Sequence, residues 1–128
     1  VVMALGAAGG LRIPSAIVQV ISRVIDQRMP LKAAIEAPRV HPINTIDEHN
    51  VRHVHLKGME VDRTFKGWSR KVVRQWRSMQ FEIDEIKENG KFGRVYALEV
   101  AGDRIKGFAD PDGEGSNSPV VNCPLDKT

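Results

Sequence analysis

The chain has 128 residues, of which 41% are hydrophobic and 27% charged, and its formal net charge is +3. These values are typical of a globular domain and exclude disordered, collagen-like and disulfide-rich proteins. No apolar run approaches the roughly 20 residues that cross a bilayer as a helix, so no membrane segment is predicted. Cys123 is the single cysteine, which excludes an internal disulfide and a multi-cysteine zinc site.

The first part of the chain is predicted to be a strand, a glycine-rich turn and two helices. Residues 1–5 form a short β-type run that ends in residues 6–10, where glycine dominates. Apolar residues then recur at helical spacing over residues 14–28, with Pro14 suited to the first turn. A short second helix is predicted over residues 31–37.

The second part alternates between strand and helix periods. A polar connection is predicted over residues 42–50, and Gly58 is expected to end the strand that follows it. A helical period spans residues 63–79, with an apolar stripe of Phe65, Trp68, Val72, Trp76 and Met79. The predicted strands are residues 51–56, 81–86, 93–100 and 104–108, the last two forming a hairpin.

This order of elements favours an α+β fold, with two to three helices and antiparallel strands clustered late, over repeating parallel βαβ units. One domain is predicted over residues 1–112. Residues 113–128 are rich in Gly, Ser, Asn and Pro and are predicted to be a loose C-terminal tail. Because the chain opens on Val1 and an apolar run, we expect it to be part of a longer protein.

The glycine turn has two interpretations. It lacks the lysine of a P-loop and the spacing of a dinucleotide fingerprint, so phosphate binding is not supported. The backbone N–H groups of Gly9 and Gly10 are nevertheless candidates for stabilising a developing negative charge, as in an oxyanion hole. The alternative is a tight strand-to-helix turn with no chemical role.

Two clusters of charged or titratable residues could be either binding sites or ordinary surface. The helix predicted over residues 63–79 carries cations with Trp68 and Trp76, which suggests nucleic acid or an acidic partner. The tryptophans fall away from the arginines, so they are expected in the core, and a solvated basic face is the favoured interpretation. His49, His53 and His55 lie near Asp47 and Glu48, but ordinary surface histidines are favoured over a metal site.

Four segments resemble the small subunit of γ-glutamyltransferases in the same order. They are residues 6–10 (GAAGG), 31–41 (LKAAIEAPRVH), 93–98 (GRVYAL) and 107–111 (GFADP). The resemblance covers about residues 1–115. The chain departs from it at Asp112, where the family has an arginine.

The resemblance implies part of an N-terminal-nucleophile (Ntn) hydrolase fold, a four-layer αββα sandwich. In that family a newly exposed threonine attacks a γ-glutamyl amide, of glutathione or a related compound, and the acyl group passes to water or to an amine. It further implies that Gly9 and Gly10 are the catalytic oxyanion donors, that no cofactor or metal is needed, and that the parent protein lies outside the cytoplasm.

The resemblance also implies that the nucleophilic threonine and the groups that grip the glutamyl moiety precede Gly6 in the precursor. Val1 has neither hydroxyl nor thiol and cannot be an N-terminal nucleophile. We therefore expect a C-terminal fragment whose partners are the remainder of the same precursor and a γ-glutamyl substrate, and which has no activity alone. The alternative is a non-catalytic α+β module that binds an acidic partner through the basic helix at residues 63–77.

Overall fold

The structure, a computed structural model, describes residues 2–64, 66–111 and 123–124 of the chain. They form a mixed α+β fold, as predicted, with two sheets whose strand orders are β1-β5-β6-β7 and β2-β3-β4. The chain divides into two compact units: residues 1–37 with 93–128, and residues 38–92. The predicted division at residue 112 stays a prediction, because most of the tail lies outside the described residues.

The elements of the first unit carry the glycine turn. Their bounds are β1 Val2–Ala8, a 3-10 turn Gly10–Arg12, α1 Ile13–Ile25, α2 Leu31–Glu36, β5 Arg94–Ala101, β6 Arg104–Ala109 and β7 Cys123–Pro124. Neighbouring strands of this sheet are all antiparallel. The predicted hairpin is confirmed, and α1 ends before residue 28 because Arg28 takes a positive φ of 56°.

The core of the first unit lies between α1, α2 and one face of the sheet. Ala16 and Val20 of α1 meet Ala34 and Ile35 of α2 over Val95 and neighbouring sheet residues, and all five are buried. Apolar side chains at helical spacing on α1 and at alternate strand positions explain this packing, since each element has to bury one apolar face.

Arg23 is a buried charged residue on the otherwise apolar inner side of α1. Arg23 is only 7% exposed, and its Nη1 donates to the carbonyl oxygens of Ala34 and Ala37, each at 3.3 Å. The last carbonyls of a helix have no partner within the helix. The guanidinium therefore binds the C-terminal end of α2 to α1, a role that a buried charge can fill because it is hydrogen-bonded.

The second unit consists of β2 Val40–Ile46, β3 Arg52–Asp62, α3 Arg70–Ser78 and β4 Glu82–Ile86. The connection predicted over residues 42–50 is wrong over residues 42–46, because β2 runs through Pro42 and pairs with β3, and is confirmed over residues 47–50, which form a turn. The register shifts between Pro42 and Asn44, and an irregularity of this kind accommodates a residue that has no N–H to donate.

Gly58 lies inside β3 and does not end it, contrary to the prediction. It is buried, and a Cβ there would lie 2.9 Å from the ring of His55. Glycine at this position is therefore required by close packing. β3 pairs with β4 in parallel and α3 lies between them in the chain, so the second unit contains one βαβ unit that the antiparallel prediction missed.

The helix predicted from residue 63 begins at Arg70. Asp62 holds the preceding segment in a turn by accepting from the amide and hydroxyl of Thr64, at 3.0 and 2.7 Å, and Ser69 caps α3. A Cβ at Gly67 would lie 2.4 Å from the carbonyl oxygen of Asp62, so this turn requires glycine. The predicted apolar stripe is wrong at Met79, which is 58% exposed, and it omits Val73, which is buried. Trp68, Val72 and Trp76 are half-buried, and Phe65 lies outside the described residues.

Replacing Arg23 with methionine is expected to lower the free energy of unfolding by about 1–3 kcal/mol, because the carbonyls of Ala34 and Ala37 lose a charged donor while the side-chain volume is kept. Urea unfolding of the chain measures this. Lys32→Met on α2 is the control, since Lys32 makes only a surface ion pair with Glu36, and a loss within about 0.5 kcal/mol is expected there. Equal losses in the two variants would contradict the role given to Arg23.

Candidate active site

The glycine turn begins at the end of β1, three residues later than the sequence indicates. β1 stays paired with β5 as far as the pair Ala8↔Arg94. Gly9 then takes a φ of 143° and Gly10 a φ of 59°, which L side chains rarely adopt. The Arg12 amide donates to the Gly9 carbonyl at 3.3 Å and closes the turn that leads into α1.

Gly9 is in close backbone contact with Gly93. A Cβ on Gly9 would lie 2.7 Å from the Cα of Gly93, a distance that real Cβ atoms do not show. Gly93 itself has a φ of +80°, and a Cβ there would lie 3.2 Å from the Cβ of Ala16 on α1. The ends of two paired strands and the first turns of α1 therefore meet at a point where only backbone fits.

Gly10 is different, because the space around it is open. Among the described residues other than its two chain neighbours, no heavy atom lies within 4 Å of the position that its Cβ would occupy, and the residue is exposed. Its positive φ of 59° is the only constraint on its side chain that the structure shows. The turn thus brings an uncovered stretch of backbone to the end of the sheet, directly before the positive end of α1.

Asp110 fixes the neighbouring strand ends. Its carboxylate accepts from the amide of Val95 at 3.3 Å, and its own amide donates to the Val95 carbonyl at 2.9 Å. Asp110 is 0% exposed. The Asp-Pro sequence noted at residues 110–111 therefore holds the end of β6 beside the start of β5, close in the chain to Gly93; Asp112 lies outside the described residues.

The histidine cluster does not form a metal site. His53 Nε2 lies 2.7 Å from Asp47 Oδ2, whereas His55 pairs with Glu82 at 3.3 Å. The hydrogen bond from His53, together with those from the amides of Val51 and His49, lowers the pKa of Asp47. Among the described residues, no group of three or more His, Cys, Asp or Glu side chains could hold a metal ion.

The turn and its context match a known family. A family model described as Gamma-glutamyltranspeptidase matches residues 1–120. The chain belongs to the gamma-glutamyltranspeptidase family. The family resemblance drawn from residues 6–10, 31–41, 93–98 and 107–111 is thereby confirmed.

Solved structures of this family share the fold. A gamma-glutamyltranspeptidase from Pseudomonas nitroreducens is 28% identical over 93% of this chain and 55% of that chain, with a TM-score of 0.71. A T380A mutant of the Helicobacter pylori gamma-glutamyltranspeptidase is 25% identical over 87% of this chain and 54% of that chain, with a TM-score of 0.66. The fold is therefore the Ntn-hydrolase type found in this transpeptidase family.

The likeness of fold extends beyond the transpeptidases. A cephalosporin acylase from Bacillus halodurans has a TM-score of 0.68 at 21% identity, over 91% of this chain and 19% of that chain. A search of curated proteins returns no match. The chain spans about half the length of the transpeptidase chains that it matches.

The sequence singled out Gly9 and Gly10 but not Gly93, which the structure brings against Gly9. The available signal was a glycine at the first position of the strand predicted over residues 93–100, and it could not show which turn Gly93 would meet. The helices formed by the described residues include none that is long and apolar enough to cross a membrane.

The two glycines of the turn are expected to respond differently to alanine. Gly9→Ala should lower the free energy of unfolding by about 3 kcal/mol or more, because strain at a positive φ adds to a clash with the Gly93 backbone. Gly10→Ala should cost about 1–2 kcal/mol, from the positive φ alone. Urea unfolding of both variants tests this, and equal losses would show that Gly9 and Gly93 are not in contact.

Proposed function

We propose that this chain supplies the oxyanion-binding turn of an enzyme that transfers or hydrolyses γ-glutamyl groups through an acyl-enzyme. The observation that carries the proposal is the open backbone at Gly10, held at the end of β1 by the contact between Gly9 and Gly93. Membership of the gamma-glutamyltranspeptidase family supports the reaction class.

The chemistry requires donors that do not move. When a hydroxyl oxygen attacks the γ-carbonyl carbon, the carbonyl oxygen becomes an oxyanion, and N–H groups already aimed at it lower the barrier. Removing one such donor typically costs about 3 kcal/mol of barrier. Collapse of this intermediate releases the amine and leaves the acyl group on the enzyme, from which water or an amino acid then takes it.

Glycine suits this role at Gly10 for a steric reason. No described residue beyond its chain neighbours comes within 4 Å of its missing Cβ, so a substrate carbonyl could approach the backbone from that side. The start of α1 adds the positive end of a helix dipole. Gly9, in contrast, is already required by its contact with Gly93, and its amide would be a donor in addition to that structural role.

We also propose that the chain is the C-terminal part of a small subunit and that the nucleophilic threonine lies in the remainder of the precursor. The sheet of the first unit supports this, because it is apolar on both faces. Met3 and Leu5 pack into the core, whereas the opposite face carries Val2, Tyr96 and Leu98, which are exposed by 71%, 47% and 50%.

An apolar sheet face of this kind is normally covered by a second layer, as in sheet-on-sheet packing. The chain spans about half the length of each of these relatives, which agrees with the proposal that a segment outside this chain covers the apolar face. We extend the proposal to glutathione and related amides as substrates, and to a location of the parent protein outside the cytoplasm. The loose tail at residues 113–128 remains a prediction.

Gly10→Ala in the intact enzyme is expected to lower kcat about 100-fold or more, because a methyl group would displace the substrate oxyanion from its backbone donor. KM should change much less, since the groups that grip the glutamyl moiety are proposed to lie elsewhere. The measurement is steady-state release of chromophore from a γ-glutamyl anilide, on enzyme shown by its unfolding midpoint to be folded.

Gly102→Ala is a matched control for this experiment. Gly102 has a φ of +64° and, as at Gly10, no described residue beyond its chain neighbours within 4 Å of its Cβ position, but it lies in the turn between β5 and β6. Both variants therefore carry the same backbone strain. If Gly10→Ala keeps the kcat of Gly102→Ala, Gly10 is part of a structural turn and the oxyanion assignment is wrong.

A further inference from the structure

A basic cleft lies in the second unit, beside α3 and β4. Its volume is about 520 Å³, and its lining consists of Arg63, Arg70, Val73, Arg74, Arg77, Glu85 and Lys87. Cations therefore dominate the lining and Glu85 is the one acidic residue among them. Val73 is buried and lies on the same face of α3 as Arg70, Arg74 and Arg77, so this face of the helix lines the cleft.

Glu85 neutralises only part of this charge. Its carboxylate accepts from Arg63 Nε at 2.8 Å and from Arg77 Nη2 at 3.0 Å, and these bonds lower its pKa, so it is ionised at neutral pH. In the part of the chain that the structure describes, Arg70, Arg74 and Lys87 make no ion pair.

Two further carboxylates close to this helix in sequence, those of Glu82 and Glu88, pair with residues that do not line the cleft. Glu82 pairs with His55 at 3.3 Å, and Glu88 pairs with Lys91 at 3.2 Å. The basic face is therefore a concave site with an excess of positive charge, and the sequence-based interpretation of a merely solvated face does not account for its shape.

The arrangement of the arginines indicates the kind of anion. Arg70, Arg74 and Arg77 follow i, i+4, i+7 spacing and so lie along one face of α3, over a length of about 10 Å. One anionic group cannot span that length. Guanidinium groups bind phosphate through paired N–H donors, which makes them suited to a ligand with several phosphate groups.

Single-stranded nucleic acid is disfavoured because the described part of the lining offers no stacking surface. Among the described residues that line the cleft, none is aromatic. Trp68 and Trp76 instead pack edge-to-face on each other, with ring centroids 5.0 Å apart, and Trp68 Nε1 donates to the Arg39 carbonyl at 3.0 Å. Binding of single strands generally uses bases stacked on aromatic rings, which the described lining residues do not offer.

We propose that this cleft binds a small anion bearing two or more linked phosphate groups. Its volume lies within the range of about 300–1,000 Å³ that is usual for small-molecule sites. Arg70, Arg74 and Lys87 would contact the phosphates directly. Arg63 and Arg77 would be held in place by Glu85, so that little side-chain order is lost when the ligand binds. The site is independent of the proposed glycine turn.

The probe for this site is inorganic tripolyphosphate, titrated calorimetrically into the 128-residue chain, with inorganic phosphate and citrate compared at equal ionic strength. Arg70→Gln and Arg74→Gln are each expected to weaken tripolyphosphate binding about tenfold or more, because each removes a charge-assisted hydrogen bond. Both side chains are exposed, and unfolding midpoints confirm that the variants remain folded.

Lys71→Gln is the matched control, because Lys71 lies on the same helix and carries the same charge but does not line the cleft. It should change the affinity less than about twofold, since a screened surface charge contributes little. Equal weakening by Lys71→Gln and Arg74→Gln would reduce the effect to net charge and overturn the site. Citrate binding as tightly as tripolyphosphate, or no binding of tripolyphosphate, would also overturn it.

Discussion

The contact between the backbones of Gly9 and Gly93 is the constraint on which the first unit depends. The antiparallel pairing of β1 and β5 ends at Ala8 and Arg94. The residues directly beyond this pair, Gly9 and Gly93, therefore lie with their backbones in contact. A side chain on Gly9 would fall 2.7 Å from the Gly93 Cα. Because neither position has room for one, the strand ends can close and α1 can start directly above them.

The contact between Gly9 and Gly93 explains why the glycine turn has positive φ angles and yet leaves open space beside Gly10. Gly9 and Gly93 are fixed by packing, and Asp110 holds the adjoining strand ends by bonding both to and from Val95. Gly10, the next residue, is left uncovered with a positive φ. A rigid support beneath an exposed backbone segment is the arrangement that preorganised electrostatic catalysis requires.

The sequence was a good guide to this unit and a poorer one to the second. The prolines and the spacing of apolar residues predicted α1 and α2. The glycine-rich turn, together with the later motifs, indicated the family. β2 was missed because Pro42 normally argues against a strand interior, although the register shift beside it makes room for the missing N–H. β3 was cut short because a glycine can mark either a break or a close contact, and Gly58 is the latter.

Other differences could not have been predicted from local pattern. The parallel pairing of β3 with β4 depends on how α3 crosses between them, and the late start of α3 depends on Asp62 bonding to Thr64. For the candidate site, the sequence indicated Gly9 and Gly10, but only the three-dimensional contact with Gly93 separates a structurally required glycine from an open one. The excess positive charge of the basic cleft beside α3 likewise could not be predicted, because it depends on which carboxylates pair with which cations in three dimensions.

A crystal structure of the intact enzyme with a γ-glutamyl boronate bound to its nucleophile would test the central claim most directly. Once the nucleophile has added, the boron is tetrahedral and carries an oxygen where the oxyanion forms. The account predicts that the backbone nitrogens of Gly9 and Gly10 lie about 2.7–3.1 Å from that oxygen, as donors to an oxyanion do. An oxygen bound by other groups, with both glycine nitrogens beyond hydrogen-bond distance, would contradict the assignment.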